Sequence, residues 1–168
     1  MGETYTGGIL EEELLGRIES EGEVSLKNLK KYIKYRQAID LVKKIQPKDS
    51  DPSDPEPYFA SDLFAELAED LELEDYGNLR YYTAVGSRMD FFHGVDAFFE
   101  WELDDGRIVQ ATVDLTMNSE KEDYKADLVI QVKDDDLDLE NNRVAYRDFV
   151  VSEAKKIASI LRIRRDHI

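Results

Sequence analysis

The chain has 168 residues, 42% of them hydrophobic and 36% charged, with 22 bases against 38 acids for a formal charge of −16. That composition supports a packed core and excludes disorder throughout. With no cysteine and only two histidines, His93 and His167, it also excludes disulfides, thiolate zinc sites, iron–sulfur clusters and histidine-rich metal centres. No run approaches the about 18 apolar residues of a membrane span, and no apolar segment follows a basic start, which predicts a soluble, cytoplasmic protein with no membrane partner.

The charge is unevenly placed. Residues 1–46 balance eight acids with eight bases, so the whole excess lies in 47–168. Within the first part, 27–46 holds Lys27, Lys30, Lys31, Lys34, Arg36, Lys43 and Lys44 against Asp40 alone. An acidic surface of this size opposes broad nucleic-acid affinity, while a local basic segment can still steer a polyanion. The plainer reading of 27–46 is a solvated helix neutralising its acidic neighbours.

In chain order, residues 7–19 read as a short helix with Ile9 or Leu10, Leu14 and Ile18 at helical spacing and Glu11–Glu13 in the first turn. Residues 25–45 read as a second helix, capped by Ser25, with Leu29, Ile33, Ile39 and Val42 inward. All four prolines then fall in 47–57, and because proline lacks the N–H that helices and ladders need, this is a linker or extended loop. Ser61 can cap a helix through about Leu73 that buries Leu63, Phe64, Leu67 and Leu71. Residues 79–85 read as a strand, 86–94 as a loop, and 95–103, 107–117 and 126–132 as further strands. An acidic loop at 134–142 leads to a long amphipathic helix over 143–164, whose last turns gather Arg162, Arg164 and Arg165. The order predicts an α+β domain over 58–168, with an antiparallel or mixed central sheet flanked by helices, behind a helical arm (1–46) and the proline-rich linker.

The 95–117 hairpin carries the most information. Val95, Ala97, Phe99, Trp101 and Leu103 alternate with polar residues, as do Val109, Ala111, Val113, Leu115 and Met117. The two apolar rows must share a face, because a one-residue slip turns a whole strand over. A two-residue Asp105-Gly106 turn would put them on opposite faces. A three-residue loop, Asp104-Asp105-Gly106 with Gly106 left-handed, aligns them and sets Val95 opposite Leu115, Ala97 opposite Val113, Phe99 opposite Ala111 and Trp101 opposite Val109. The same register sets Asp96 opposite Asp114, with Cβ atoms about 5 Å apart, a separation that destabilises like charges. Such a pair needs a proton, a cation or a nearby base, and a hard divalent cation prefers oxygen ligands. The bland alternative is two acids at strand ends, splayed into water.

Gly94-Val95-Asp96 opening one strand and Val113-Asp114-Leu115-Thr116 on the next resemble the PD-(D/E)XK nuclease superfamily, which has the restriction-endonuclease-like fold. Its members place an acid at the start of the second strand and an acid-X-lysine on the third, and many add a glutamate from the preceding helix. The resemblance implies a nuclease-like core and a metal-dependent phosphodiesterase or endonuclease acting on DNA. Asp96 and Asp114 would be ligands to Mg²⁺ or Mn²⁺, Glu66 the helical acid, and Asp90 a further contributor. The chain departs from the family at the motif lysine, where it has Thr116, so Lys121 or Lys125 would have to reach back to the site. An inactive relative is the other form this resemblance takes. It also departs in having barely one helical turn, 120–125, after the third strand. Lys30, Lys31, Lys34, Lys155 and Lys156 would then contact the nucleic-acid backbone, which positions without reading sequence.

Other features have plainer readings. His93 is a candidate general base, though a lone loop histidine is more often a hydrogen-bonding or surface group. Asp134, Asp135, Asp136, Asp138 and Glu140 fail the calcium-loop spacing at Leu139 and Ala145. Tyr76, Tyr81 and Tyr82 beside Arg80 suggest an aromatic–basic surface, against which stands the preference of strand aromatics for cores. The rival to the enzyme is a non-catalytic acidic interaction module, a nucleic-acid mimic that engages a basic protein. A third reading makes 1–46 an oligomerisation arm.

Overall fold

The computed structural model of the chain describes residues 7–19, 31–117, 125–137 and 140–167. Among these are five α-helices, α1 (Gly7–Leu15), α2 (Tyr35–Lys44), α3 (Tyr58–Asp70), α4 (Arg88–His93) and α5 (Arg143–Asp166), and four strands, β1 (Leu79–Thr83), β2 (Ala97–Glu102), β3 (Ile108–Thr116) and β4 (Leu128–Gln131). The strands form one mixed sheet in the order β1-β2-β3-β4, antiparallel as far as β3 and parallel between β3 and β4. The fold is therefore α+β.

The sheet is buried on both faces. Tyr81, Ala97, Phe99, Ala111, Val113 and Leu115 meet α1, α3 and α5, while Tyr82 and Phe98 meet α2 and α4. Adjacent ring pairs mark the two faces: Tyr81–Phe99 and Tyr82–Phe98 each have centroids 5.2 Å apart. No helix among the described residues is long and apolar enough to cross a membrane.

The β2–β3 hairpin has the register expected from its apolar rows, with Ala97 opposite Val113, Phe99 opposite Ala111 and Trp101 opposite Val109. Its loop is the three-residue one. Leu103 N–H bonds to Arg107 O at 2.8 Å, and Gly106 takes φ +86, a region a β-carbon disfavours.

The helices expected to form an arm pack into the body of the protein instead. Leu10, Leu14 and Leu15 of α1 join the core under α3 and α5, and Ala38, Ile39 and Val42 of α2 cover the opposite sheet face. These are the apolar residues an oligomerisation arm would present outward. The second helix is shorter than expected, beginning at Tyr35. Its proposed cap Ser25 lies outside the described residues. Residues 31–34 are non-helical, held by Ile33, whose side chain packs against the α2 cluster and whose carbonyl bonds to His93. The third helix starts three residues before Ser61, with Pro57 at its N-cap.

The proline-rich segment lies against the edge of the sheet. Pro52 O accepts from Tyr81 N–H at 2.8 Å, and the Gln46 side-chain amide bonds to both the N–H and the carbonyl of Thr83. The outer edge of β1 is thereby covered, which protects it from pairing with another chain.

Candidate metal centre

Asp96 sits at the mouth of β2 and is 1% exposed. Its carbonyl accepts from Ala84 N–H at 2.7 Å, and its own N–H donates to Val113 O at 2.8 Å. Because Ala97 is itself the ladder partner of Val113, two residues of one strand address one of the other, as in a β-bulge. The bulge corrects the expected facing of Val95 and Leu115. Val95 packs with Ala38, Met89 and Phe98 on the α2 side, whereas Leu115 lies in the core on the other side. Leu115 N–H donates instead to Asp96 Oδ2 at 2.7 Å, which fixes that carboxyl beside β3.

Three further acids converge there. Asp114 of β3, 5% exposed, hydrogen-bonds to the Asp96 carboxyl. Asp90 comes from α4 and Glu11 from α1, and one carboxylate oxygen each from Glu11, Asp90 and Asp96 lie within 4.8 Å of one another. Burial, then the hydrogen bond with Asp114 and the charges of Asp90 and Glu11, push the Asp96 carboxyl up to about 10. At neutral pH Asp96 therefore holds a proton, unless a cation takes that proton's place.

Local chemistry explains how the two helices arrive. α4 was expected to be loop, yet Ser87 caps it, accepting from Asp90 N–H through a side chain in extended backbone, and Gly94 ends it at φ +62. A serine followed three residues later by an acid, closed by a glycine, is a helix signature present in the sequence. Gly86 N–H donates to Asp90 Oδ2 at 3.1 Å, which steadies the carboxylate. α1 is docked by its C-terminal carbonyls, where Leu15 O accepts from the Tyr81 hydroxyl at 2.7 Å and Gly16 O from Thr83 Oγ1 at 3.0 Å. Burial, then the charge of Asp96, hold the Tyr81 phenol well above its ordinary range, so it remains a donor.

The structure brings Asp96 together with Asp114 and Asp90, and places Glu11 of α1 beside Asp90 and Asp96. Glu66 does not join them. It sits on α3, half-buried, 3.9 Å from Arg147 of α5. Nothing in the sequence pattern separated Glu11 from Glu12 and Glu13, because only the docking angle of α1 does so. Lys125 lies at the α4–β2 turn, its side chain packed against Gly94 and its Nζ donating to Phe92 O at 3.3 Å. Lys121 and Lys30 lie outside the described residues. Thr116 ends β3 opposite Gln131.

His93 takes its structural reading, since Nε2 donates to Ile33 O at 2.9 Å. Tyr81 and Tyr82 are core residues, which leaves Tyr76 as the exposed ring of the three, and Arg80 pairs with Glu102. Lys31 and Lys34 are exposed just before α2. Lys155 and Lys156 are exposed on α5, in the layer across the sheet from α2, and Lys156 pairs with Glu153 at 2.9 Å. No family model matches the chain, and neither a curated protein nor a solved structure matches it.

Proposed function

We propose that the chain is a divalent-metal-dependent phosphodiesterase acting on DNA, as its PD-(D/E)XK resemblance implies. The observation that carries the reading is the convergence of three carboxyls, Glu11 of α1, Asp90 of α4 and the buried Asp96 at the mouth of β2, with Asp114 of β3 hydrogen-bonded to Asp96. Four hard oxygen donors suit Mg²⁺ or Mn²⁺. Asp96 and Asp114 would hold the ion, with Asp90 and Glu11 beside them. Once bound, such an ion supplies a water of lowered pKa and neutralises charge on the phosphoryl oxygens.

The chain's own residues do the remaining work. Leu115 N–H fixes Asp96 in place, and the bulge turns Asp96 out of the strand alternation toward the other acids. Lys125 brings positive charge to the α4–β2 turn, where Thr116 supplies only a hydroxyl. An inactive relative would keep the ion site and lack the charge that orients the attacking water. The acidic-module reading rests on the −16 charge alone.

The test is cleavage of end-labelled DNA in millimolar Mg²⁺ or Mn²⁺. Cleavage should vanish in EDTA and fall about 100-fold or more in Asp114→Asn, the scale of several kcal/mol of lost charge stabilisation. Cleavage that survives either change contradicts the reading. Salt-sensitive binding to a basic protein, with neither cleavage nor ion binding, favours the acidic module.

A further inference from the structure

We infer that the surface formed by the 31–36 segment and α4 is a docking site for single-stranded nucleic acid, on which unpaired bases stack. The inference deepens the phosphodiesterase reading and rests on it for the chemistry done to the bound strand. Five rings run continuously across this surface. Phe91 and Phe92 have centroids 4.8 Å apart, Phe92 and Tyr32 5.5 Å, Tyr32 and His93 5.5 Å, and His93 and Tyr35 5.4 Å. Three of these rings are open to solvent, with Phe91 72%, Tyr32 60% and Tyr35 44% exposed. Large apolar side chains grouped in this way on a surface mark an interaction site.

The charge around the rings selects the partner. Lys31, Lys34 and Arg36 are exposed between and beside the tyrosines, and Lys125 reaches the carbonyl of Phe92. On a chain of net charge −16 this is a locally basic surface, and it fits a polyanion. Flat rings interleaved with bases are what a single strand needs, because each unpaired base offers a face for stacking while the cations track the phosphates. A duplex has already stacked its bases internally and would use only the cations. The placement suits the function proposed above. Asp90 of the carboxyl cluster and Phe91 belong to the same six-residue helix, α4.

The test is fluorescence anisotropy with a labelled oligothymidylate, an oligouridylate and a duplex of equal length, all in EDTA. The single strands should bind at least about tenfold more tightly than the duplex. Tyr32→Ala and Phe91→Ala should each weaken binding about tenfold, while Phe91→Trp should keep it. Lys31→Ala and Lys34→Ala should each lower the slope of log affinity against log salt by about 0.7. Equal or tighter duplex binding, or affinity unchanged in both aromatic variants, overturns the inference. So does an absence of oligonucleotide binding at low salt. Since EDTA removes divalent ions, this result is independent of cleavage. A chain that binds strands and cleaves nothing loses only the phosphodiesterase, and one that cleaves duplex but ignores single strands loses only this docking site.

Discussion

Two carboxyls four residues apart, one at the mouth of β2 and one within it, are buried to the same degree and treated in opposite ways. Glu100, in the middle of β2, is 2% exposed and meets Lys43 Nζ of α2 at 2.9 Å and Gln110 Nε2 of β3 at 2.5 Å. Asp96, at the mouth of β2, is 1% exposed and meets Asp114, Asp90 and Glu11. Burying a carboxylate is tolerable when the fold supplies a counter-charge and hydrogen bonds, as it does for Glu100. At Asp96 three other elements, α1, α4 and β3, deliver more negative charge instead. The contrast separates a structural ion pair from the site proposed above to receive a cation.

The largest effect should come from breaking the structural half. Lys43→Met strands the Glu100 charge and should cost about 2–3 kcal/mol in urea unfolding, at the low end for a buried pair because the lysine is partly exposed. Adding Glu100→Gln should recover most of that loss. A neutral Lys43→Met would remove the distinction between the two carboxyls. Of similar size is the response to Mn²⁺. Free ion at about 100 times its Kd should stabilise the wild-type chain by about 2.7 kcal/mol in thermal melts, and should do nothing for the Asp96→Asn, Asp114→Asn double variant.

A smaller effect is expected from Asp96 alone. Its raised folded-state pKa means that its contribution to stability is complete below the unfolded value of about 4 and is lost as pH rises toward about 10. Without divalent ions, wild-type stability should therefore decline through that window. Asp96→Asn, which keeps the acceptor for Leu115 N–H, should flatten the decline and gain about 1–2 kcal/mol at pH 8. Unchanged slopes would mean that the acids do not act on one another. The smallest effects distinguish the two helical acids. Glu11→Gln should weaken Mn²⁺ about tenfold. Glu66→Gln, which loses only a partly exposed ion pair, should change stability by less than about 0.5 kcal/mol and leave the ion affinity alone.

What the sequence made legible follows from how far each signal reaches. The hairpin register was readable because period-2 alternation and one glycine are local, and together they left a single loop length. The same register set Asp96 opposite Asp114, whereas the ladder ends at Ala97 and Val113 and Asp96 N–H bonds to Val113 O. The bulge was not readable, since the 95–103 alternation runs on unbroken while the backbone at Asp96 shifts to serve Val113 and Ala84 together. α4 could have been read from Ser87, Asp90 and Gly94, but its six residues are too few to show a hydrophobic period. Glu11 was out of reach. Its role depends on the long-range bonds from Tyr81 and Thr83 that dock α1, and no spacing within 7–19 encodes them. The basic segment was visible as charge, while its aromatic character emerged only when the fold laid α4 against residues 31–35.

The most direct measurement is an anomalous difference map from a crystal of the chain soaked in Mn²⁺. The account predicts a peak between the Asp96 and Asp114 carboxyls, with oxygens of both about 2.0–2.3 Å from it and Glu11 and Asp90 turned toward it. No peak at saturating Mn²⁺, with Asp96 and Asp114 still bonded to each other through a proton, would contradict it.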